Sequence, residues 1–318
     1  MRISIPTRRW SVLALLLVLL VQVGYAQRKV TMRYHLKEGQ SYTLVNSITQ
    51  TIDQNIQGMQ QNSRQTILFE FDCKAEKVRR NGSTDMNFHY QRVKFEAAGD
   101  LINTEYDSAD PESEPNMQTM AFAALVGQQL AVQMSDRGEI VKIDGVDAIL
   151  DNMLDMYGIT AEAQRRQIRG TLASQFSDKA LKNQFVGLSL VFPEYAIGVG
   201  DSWQQKMEVN SGFPLVLNTT YTVLSMDNNV MELSVKSDII SAPNMKPVQM
   251  NGQEIVYDLS GTQEGITRID MRTGWTLDSN AKQDIAGTVE IIPNAQIPEG
   301  ISWPIIIKSD IEVLPKEQ

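Results

Sequence analysis

The alternating side chains near the C-terminus constrain this chain most. From Ile255 to Ile269 the odd positions read Ile, Tyr, Leu, Gly, Gln, Gly, Thr and Ile. After a turn at Met271-Arg272-Thr273-Gly274, the spacing continues through Trp275, Leu277, Ser279, Ala281, Gln283 and Ile285. A period of two puts successive side chains on opposite faces of a strand, so such runs must become half-buried β-strands joined by tight turns. The Gly261/Gly265 and Ser279/Ala281 positions leave a shallow band, which predicts either a closely packed neighbour or a groove. Tyr42, Leu44, Ile48, Ile52 and Ile56 recur in the same way. Gln65 to Val78 follows, with Asn81-Gly82 as a hairpin turn into Met86, Phe88 and Tyr90. Later come Trp203, Met207 and Val209, then Leu217 to Val223, then a turn at Asp227-Asn228-Asn229 and a strand from Met231 to Ile239. Val30 to Leu36 predicts one more half-buried strand. Pro304 predicts an edge or bulge in the last strand.

Phe192 to Trp203 (FPEYAIGVGDSW) organises these runs. Its Gly200-Asp201-Ser202-Trp203 repeats Gly39-Gln40-Ser41-Tyr42, and each leads through a Gly turn and an aromatic into an alternating strand. The repeat predicts two related meander halves. Between them Glu105 to Glu114 is acidic and almost free of aliphatics, so it reads as an exposed loop. Asn116 to Gln129 carries apolar residues at three-and-four spacing and predicts a buried helix. Leu130 to Ile143 predicts a hairpin, and Asp147 to Tyr157 a helix stopped by Gly158. Thr160 caps another, with Ala161, Ile168, Leu172 and Phe176 toward the core and Arg165, Arg166 and Arg169 toward water. A short helix follows over Ser177 to Phe185. The expected class is α+β, predominantly antiparallel β: two meander halves, residues 27–104 and 191–318, with a helical insert over 105–190 packed against the sheets.

Arg2, Arg8 and Arg9 precede an apolar run from Trp10 to Val23, and Gly24-Tyr25-Ala26 has the small-x-small cleavage pattern. This predicts a signal peptide over residues 1–26, cut between Ala26 and Gln27. The apolar run falls short of the roughly 20 residues a spanning helix needs, so no integral membrane segment is expected after cleavage. Residues 1–26 hold three Arg and no acid, so their removal takes the formal charge from −9 to −12. An acidic chain without a basic run does not fit nucleic acid, whose phosphates must be neutralised, nor docking on anionic lipid. The lone Cys73 shares a strand face with Ile67, Phe69, Phe71 and Ala75, which predicts a buried small hydrophobe.

No catalytic or metal signature stands out after the expected cleavage site. His35 and His89 have no second ligand at metal spacing. Gly187-Leu188-Ser189-Leu190-Val191 lacks the closing Gly of a nucleophile elbow. Neither a phosphate loop nor a dinucleotide fingerprint occurs, so no cofactor is expected. Met117 and Met120, and Met153 and Met156, stand at M-x-x-M spacing. Such pairs suit Cu(I) in an oxidising envelope, but Met at helical spacing is more often adaptable core filling or the lining of an apolar site. Asn81-Gly82-Ser83 and Asn218-Thr219-Thr220 are sequons that matter only in a eukaryotic secretory pathway. Asp107-Ser108-Ala109 resembles a short bacterial O-glycosylation site.

At FPEYAIGVGDSW, KEGQSY, MSDRGEIVKIDG and GITRIDMRTGW the chain resembles a family of secreted, β-rich envelope proteins of Bacteroidota-type bacteria, a domain of unknown function. The resemblance spans about Tyr34 to Val313. It implies secretion into the periplasm or cell envelope of a Gram-negative bacterium, and it brings no catalytic residues. Many relatives look like lipoproteins, whereas Gln27 stands here where a lipidated Cys would be. The expected role is a non-enzymatic envelope protein that binds an apolar ligand, lipid-like or peptide, or an envelope partner, with Met117, Met120, Met153 and Met156 as candidate ligand-binding residues. The alternatives are a glycan or peptide hydrolase using paired Asp/Glu and a structural assembly component with exposed edge strands.

Overall fold

The computed structural model describes residues 29–172, 190–209, 213–243, 247–250 and 252–315. The expected signal, with its Ala26/Gln27 junction, lies outside the described residues, as do Phe176 and the helix expected over Ser177–Phe185. Among the described residues thirteen strands form one antiparallel sheet. In the first half β1 (Ser41–Ile56), β2 (Met59–Val78) and β3 (Thr84–Gly99) form a meander, with β4 (Asn103–Asp107) beside β3. The hairpin of β5 (Gln129–Met134) and β6 (Ile140–Asp144) extends it. In the second half are β7 (Ser202–Val209), β8 (Leu215–Asp227), β9 (Val230–Ser241), β10 (Val248–Met250), β11 (Gln253–Asp270), β12 (Thr276–Ile291) and β13 (Ile301–Pro315). The order across the sheet is β6-β5-β3-β2-β1-β13-β12-β11-β9-β8-β7. The halves therefore meet through β1 and β13, which pair from Leu44↔Pro315 to Gln54↔Ile305. With α1 (Met120–Ala123), α2 (Val146–Met156) and α3 (Glu162–Leu172), this is the expected β-dominated α+β fold. The turns fall where their chemistry demands. Asn228 and Asn229 both take positive φ, 51° and 64°, the two-residue geometry that matches strand twist.

The sheet is strongly curled. One apolar cluster contains Phe71 and Cys73 of β2 and Phe88 of β3 together with Val223 of β8 and Leu233 of β9. Four strands separate β2 from β9 in the sheet order, so these residues meet only if the sheet bends back on itself. Tyr34, Phe192 and Trp203 fill the space between the two arms. A second cluster, with Leu217, Ile239, Ile285 and Ile307, lies on the same concave face toward the other end of the strands. At Gly261 a Cβ would collide with the carbonyl oxygen of Asp284, and at Gly287 with that of Asp258. Glycine lets adjacent backbones approach there, as a coiled sheet requires. The shallow band at Gly261 is thus a place of close strand packing.

Four local expectations are corrected. Met32, Tyr34 and Leu36 are buried as the alternation predicts, yet Val30–Leu36 joins the fold as a strap, with a single bridge, Val30↔Ile197. Its Tyr34 N–H donates to Asp136 O in the β5–β6 turn (2.6 Å) and its His35 N–H to Thr273 O in the β11–β12 turn (2.9 Å), tying the arms together. Asn116–Gln129 contains only the one-turn α1. Past Ala124 the bonds tighten to i→i−3, and Tyr90 of β3 takes over the backbone, bonding Gly127 N–H and Gln128 O. Pro304 stands in a central strand, tolerated because the β1 ladder stops at Ile305. Finally, Arg165 and Arg169 do not face water. Arg165 Nη2 donates to Asp151 of α2 at 2.6 Å and its Nη1 to Asp155 at 2.5 Å, while Arg169 bonds Asp151 and Asp147. Only Arg166, with Glu162 at 3.8 Å, stays on the wet side, its side chain 72% exposed.

Candidate functional site

The ladders fix which side chains face the concavity. At the inward positions of β1–β3, β7–β9 and β11–β13 there is no Asp, Glu, Lys, Arg or His. The convex face is the reverse. Lys236 pairs with Glu264 (3.2 Å), Lys282 with Asp310 (2.8 Å), and Arg268 with Asp278 on adjacent strands. Opposite charges across neighbouring strands hold the register and keep that face in water. They also make it unfit to lie against hydrocarbon, where charged side chains are destabilising.

One row across the concavity is polar. Gln205 pairs with Thr219, Thr219 with Ser237, Ser237 with Gln263, and Gln263 with Gln283. The row continues from Gln283 to Ser309, Gln50 and Gln65. Its side chains bond one another: Thr219 and Ser237 hydroxyls at 2.8 Å, Gln283 Nε2 to Gln263 Oε1 at 3.2 Å, Gln50 Nε2 to Ser309 Oγ at 3.2 Å, and Gln65 Nε2 to Gln50 Oε1 at 3.1 Å. Two residues toward one strand end the paired row reads Leu217, Ile239, Gly261, Ile285, Ile307 and Ile52. Two residues toward the other it reads Tyr221, Val235, Gly265, Ala281, Ile311, Ile48 and Ile67. A band of neutral hydrogen-bonding groups is therefore flanked by mostly apolar rows, with Asn46, Gln54, Ser63, Thr267 and Ser279 as further neutral polar residues on the same face. Gln50, Gln65, Gln263 and Gln283, with Ile48, Ile67 and Ile311, are half-buried, so this part of the face is reachable from solvent. Three side-chain atoms on the face, Gln205 Nε2, Asn46 Oδ1 and Tyr42 Oη, are buried without a partner among the described residues.

Beside this face the sheet opens into a slot of about 350 Å³ lined by Tyr42, Thr43, Leu44, Arg268, Trp275, Thr276, Leu277, Asp278 and Pro315. The slot exists because β13 leaves β12 at Val313 but follows β1 as far as Pro315. Tyr42 and Trp275 lean together across its inner mouth, ring centroids 4.7 Å apart. Burial pushes the phenols of Tyr90 and Tyr221 up to about 12. Burial raises Tyr34 further still, although its hydroxyl oxygen accepts from Leu190 N–H at 3.2 Å.

The shifted carboxyls all move down. A hydrogen bond from Arg92 lowers Asp107, bonds from Arg169 and Arg165 lower Asp151, and one from Lys29 lowers Asp201. Burial opposes ionisation of Asp270, but its bonds from Arg272 outweigh that. A hydrolytic general acid needs the opposite displacement, a carboxyl pushed up. No group of three or more His, Cys, Asp or Glu placed to hold a metal occurs among the described residues, and no described helix is long and apolar enough to cross a membrane.

The four methionines lie on two joined helical segments. Met117 is 72% exposed, and Met120 of α1 and Met153 and Met156 of α2 are half-buried. Asn152 Nδ2 donates to Ala124 O (2.7 Å) and Tyr157 Oη to Met117 O (3.3 Å), which joins the two helices. α1 lies on the first arm's inner face, Phe122 stacked on Phe95 at 4.4 Å. The polar row was missed. Its signal was present, since Gln50, Gln65, Gln263, Gln283 and Ser309 occupy inward positions in alternating runs, but their alignment appears only once the ladders are known.

Solved structures give weak likenesses. A chain described in "Lipid-protein interactions in lipovitellin" matches at TM-score 0.46 and 9% identity over 88% of this chain and 25% of that one. The enterotoxigenic E. coli pilotin–secretin AspS-GspD complex matches at TM-score 0.21 and 8% identity, over 98% of this chain and 52% of that one. An outer membrane channel from Pseudomonas putida F1 matches at 0.24 and 6%, over 88% and 97%. This chain thus spans a quarter of the first of these chains and about half of the second. Likenesses at these scores bear on neither fold nor function. No curated protein matches the chain. The model of DUF6263, a family of unknown function, matches residues 81–276, a shorter span than Tyr34–Val313, and the chain belongs to that family.

Proposed function

We propose that the protein is a non-enzymatic, secreted protein of the bacterial cell envelope that carries an elongated, uncharged apolar molecule, lipid-like or peptide, on the concave face of its sheet. The carrying observation is the division of charge between the faces: ion pairs across the convex side, and no Asp, Glu, Lys, Arg or His at the inward positions of the main strands. An unpaired charge taken out of water costs several kcal/mol, so a concavity built this way favours neutral, apolar matter. The expected signal supports an envelope location. The Met-bearing α1 and α2 lie beside the face, and flexible thioether side chains pack against varied apolar shapes.

The test is to express the full chain with its own N-terminus in a Gram-negative host, recover it from the periplasmic fraction, and extract it with organic solvent for mass spectrometry. A stoichiometric neutral apolar molecule is expected in the extract. A clean extract, together with failure of the stripped protein to bind a naphthylamine fluorophore, overturns the carrier reading. Retention of the chain in the cytoplasm overturns the envelope assignment.

A further inference from the structure

We infer that the polar row is a recognition site for a neutral hydrogen-bonding group, a secondary amide, set between two hydrocarbon stretches of the bound molecule. This rests on the carrier reading and adds the chemical class of its cargo. A molecule lying along the strands meets apolar rows on either side of the band. Each is two residues away, roughly 7 Å at the rise of a strand. Its ends are therefore hydrocarbon and its middle is polar.

The polarity of that middle follows from the donors. The row consists of Gln, Ser and Thr, which both donate and accept, and no cation stands at the inward positions to balance an anion. The bond from Gln283 Nε2 to Gln263 Oε1 uses one donor and one acceptor. Each amide has two N–H groups and an oxygen with two lone pairs, so capacity is left over. The row also holds an unmatched donor, Gln205 Nε2, while Asn46 Oδ1 and Tyr42 Oη are unmatched elsewhere on the face. The capacity left over in the row is of both kinds, N–H groups and lone pairs, so a group that both donates and accepts matches it. A secondary amide does so; a carboxylate only accepts, and an alkane does neither.

The experiment measures displacement of the naphthylamine fluorophore from the stripped full-length mature protein by three probes of equal carbon number: N-octyl octanamide, hexadecane and hexadecanoate. The amide is expected to bind about tenfold more tightly than either of the others, the difference one hydrogen bond makes. In the Gln263→Leu/Gln283→Leu variant the amide's advantage over hexadecane disappears while hexadecane still binds. If that variant does not fold, Ser309→Ala gives the same readout with a smaller change. Hexadecanoate binding as tightly as the amide, or a variant that keeps the amide preference, overturns the inference. Hexadecane displacement without any amide advantage overturns the inference and leaves the carrier reading standing; no displacement by any probe overturns both.

Discussion

Cys73 has no exposed surface, and burial together with the nearby Asp72 charge raises its thiol well above the ordinary range. The thiolate is the reactive form, so the native protein should not react with a disulfide reagent, and one thiol per chain should appear on unfolding. Cys73→Ser puts a hydroxyl into the same apolar space and should cost about 1–3 kcal/mol, read as a shifted denaturation midpoint. Rapid labelling of the folded protein would contradict the burial. Gly261 is constrained differently, by backbone rather than by side chains. Gly261→Ala drives a methyl toward the Asp284 carbonyl and should cost about 1–3 kcal/mol. Thr262→Ala, next along the strand on the convex face, should stay within about 0.5 kcal/mol. Equal costs for the two would mean that the sheet does not bend at Gly261.

At the level of elements, α3 docks through charge rather than through an apolar stripe. Asp151 accepts from both Arg165 and Arg169, and Asp155 accepts from Arg165. These carboxylates are partly exposed and screened, so the effect is modest and best read locally. Arg165→Ala should speed proteolysis and amide exchange within Glu162–Leu172 and leave the sheet unchanged. The Asp151 carboxyl is depressed in the folded chain, so its contribution is complete above the usual Asp value of about 3.9 and is lost as pH falls through the lowered value. Exchange in α3 should therefore quicken in acid, and Asp151→Asn should remove that pH dependence; an unchanged pH profile in the variant would show that other groups hold the helix. The clamp was partly legible in the sequence. Asp147, Asp151 and Asp155 share one face of α2 at a spacing of four, matching Arg165 and Arg169, but reading α3 by hydropathy alone favoured Ile168. Strands and their turns were legible because a period of two and an Asn-Asn or Asn-Gly turn are local properties. The loss of the Asn116–Gln129 helix was not, because the competitor is the Tyr90 backbone, which the sequence does not bring near. Nor was the polar row, since Gln50 and Ser309 become neighbours only through the β1–β13 ladder.

For the whole molecule, the two apolar clusters have unequal duties. The second is built mainly from β8, β9 and β11–β13, strands already adjacent in the sheet. The first joins strands with four others between them and depends on the Val30–Leu36 strap, whose Tyr34 ring lies 5.3 Å from Phe192 and 6.4 Å from Trp275. Curvature, and with it the concavity, is therefore held from one end. Tyr34→Ala removes a buried aromatic at that end and should cost about 3–5 kcal/mol. The loss should be uneven, because local openings follow the contacts that hold each unit. Hydrogen exchange should show β3, β5 and β6 losing protection while β12 and β13, backed by the second cluster, keep theirs. The variant should also bind the naphthylamine fluorophore more weakly, since an uncurled sheet no longer surrounds the molecule on it. Uniform loss of protection across all strands would mean that the sheet holds its own curvature and the strap only decorates it.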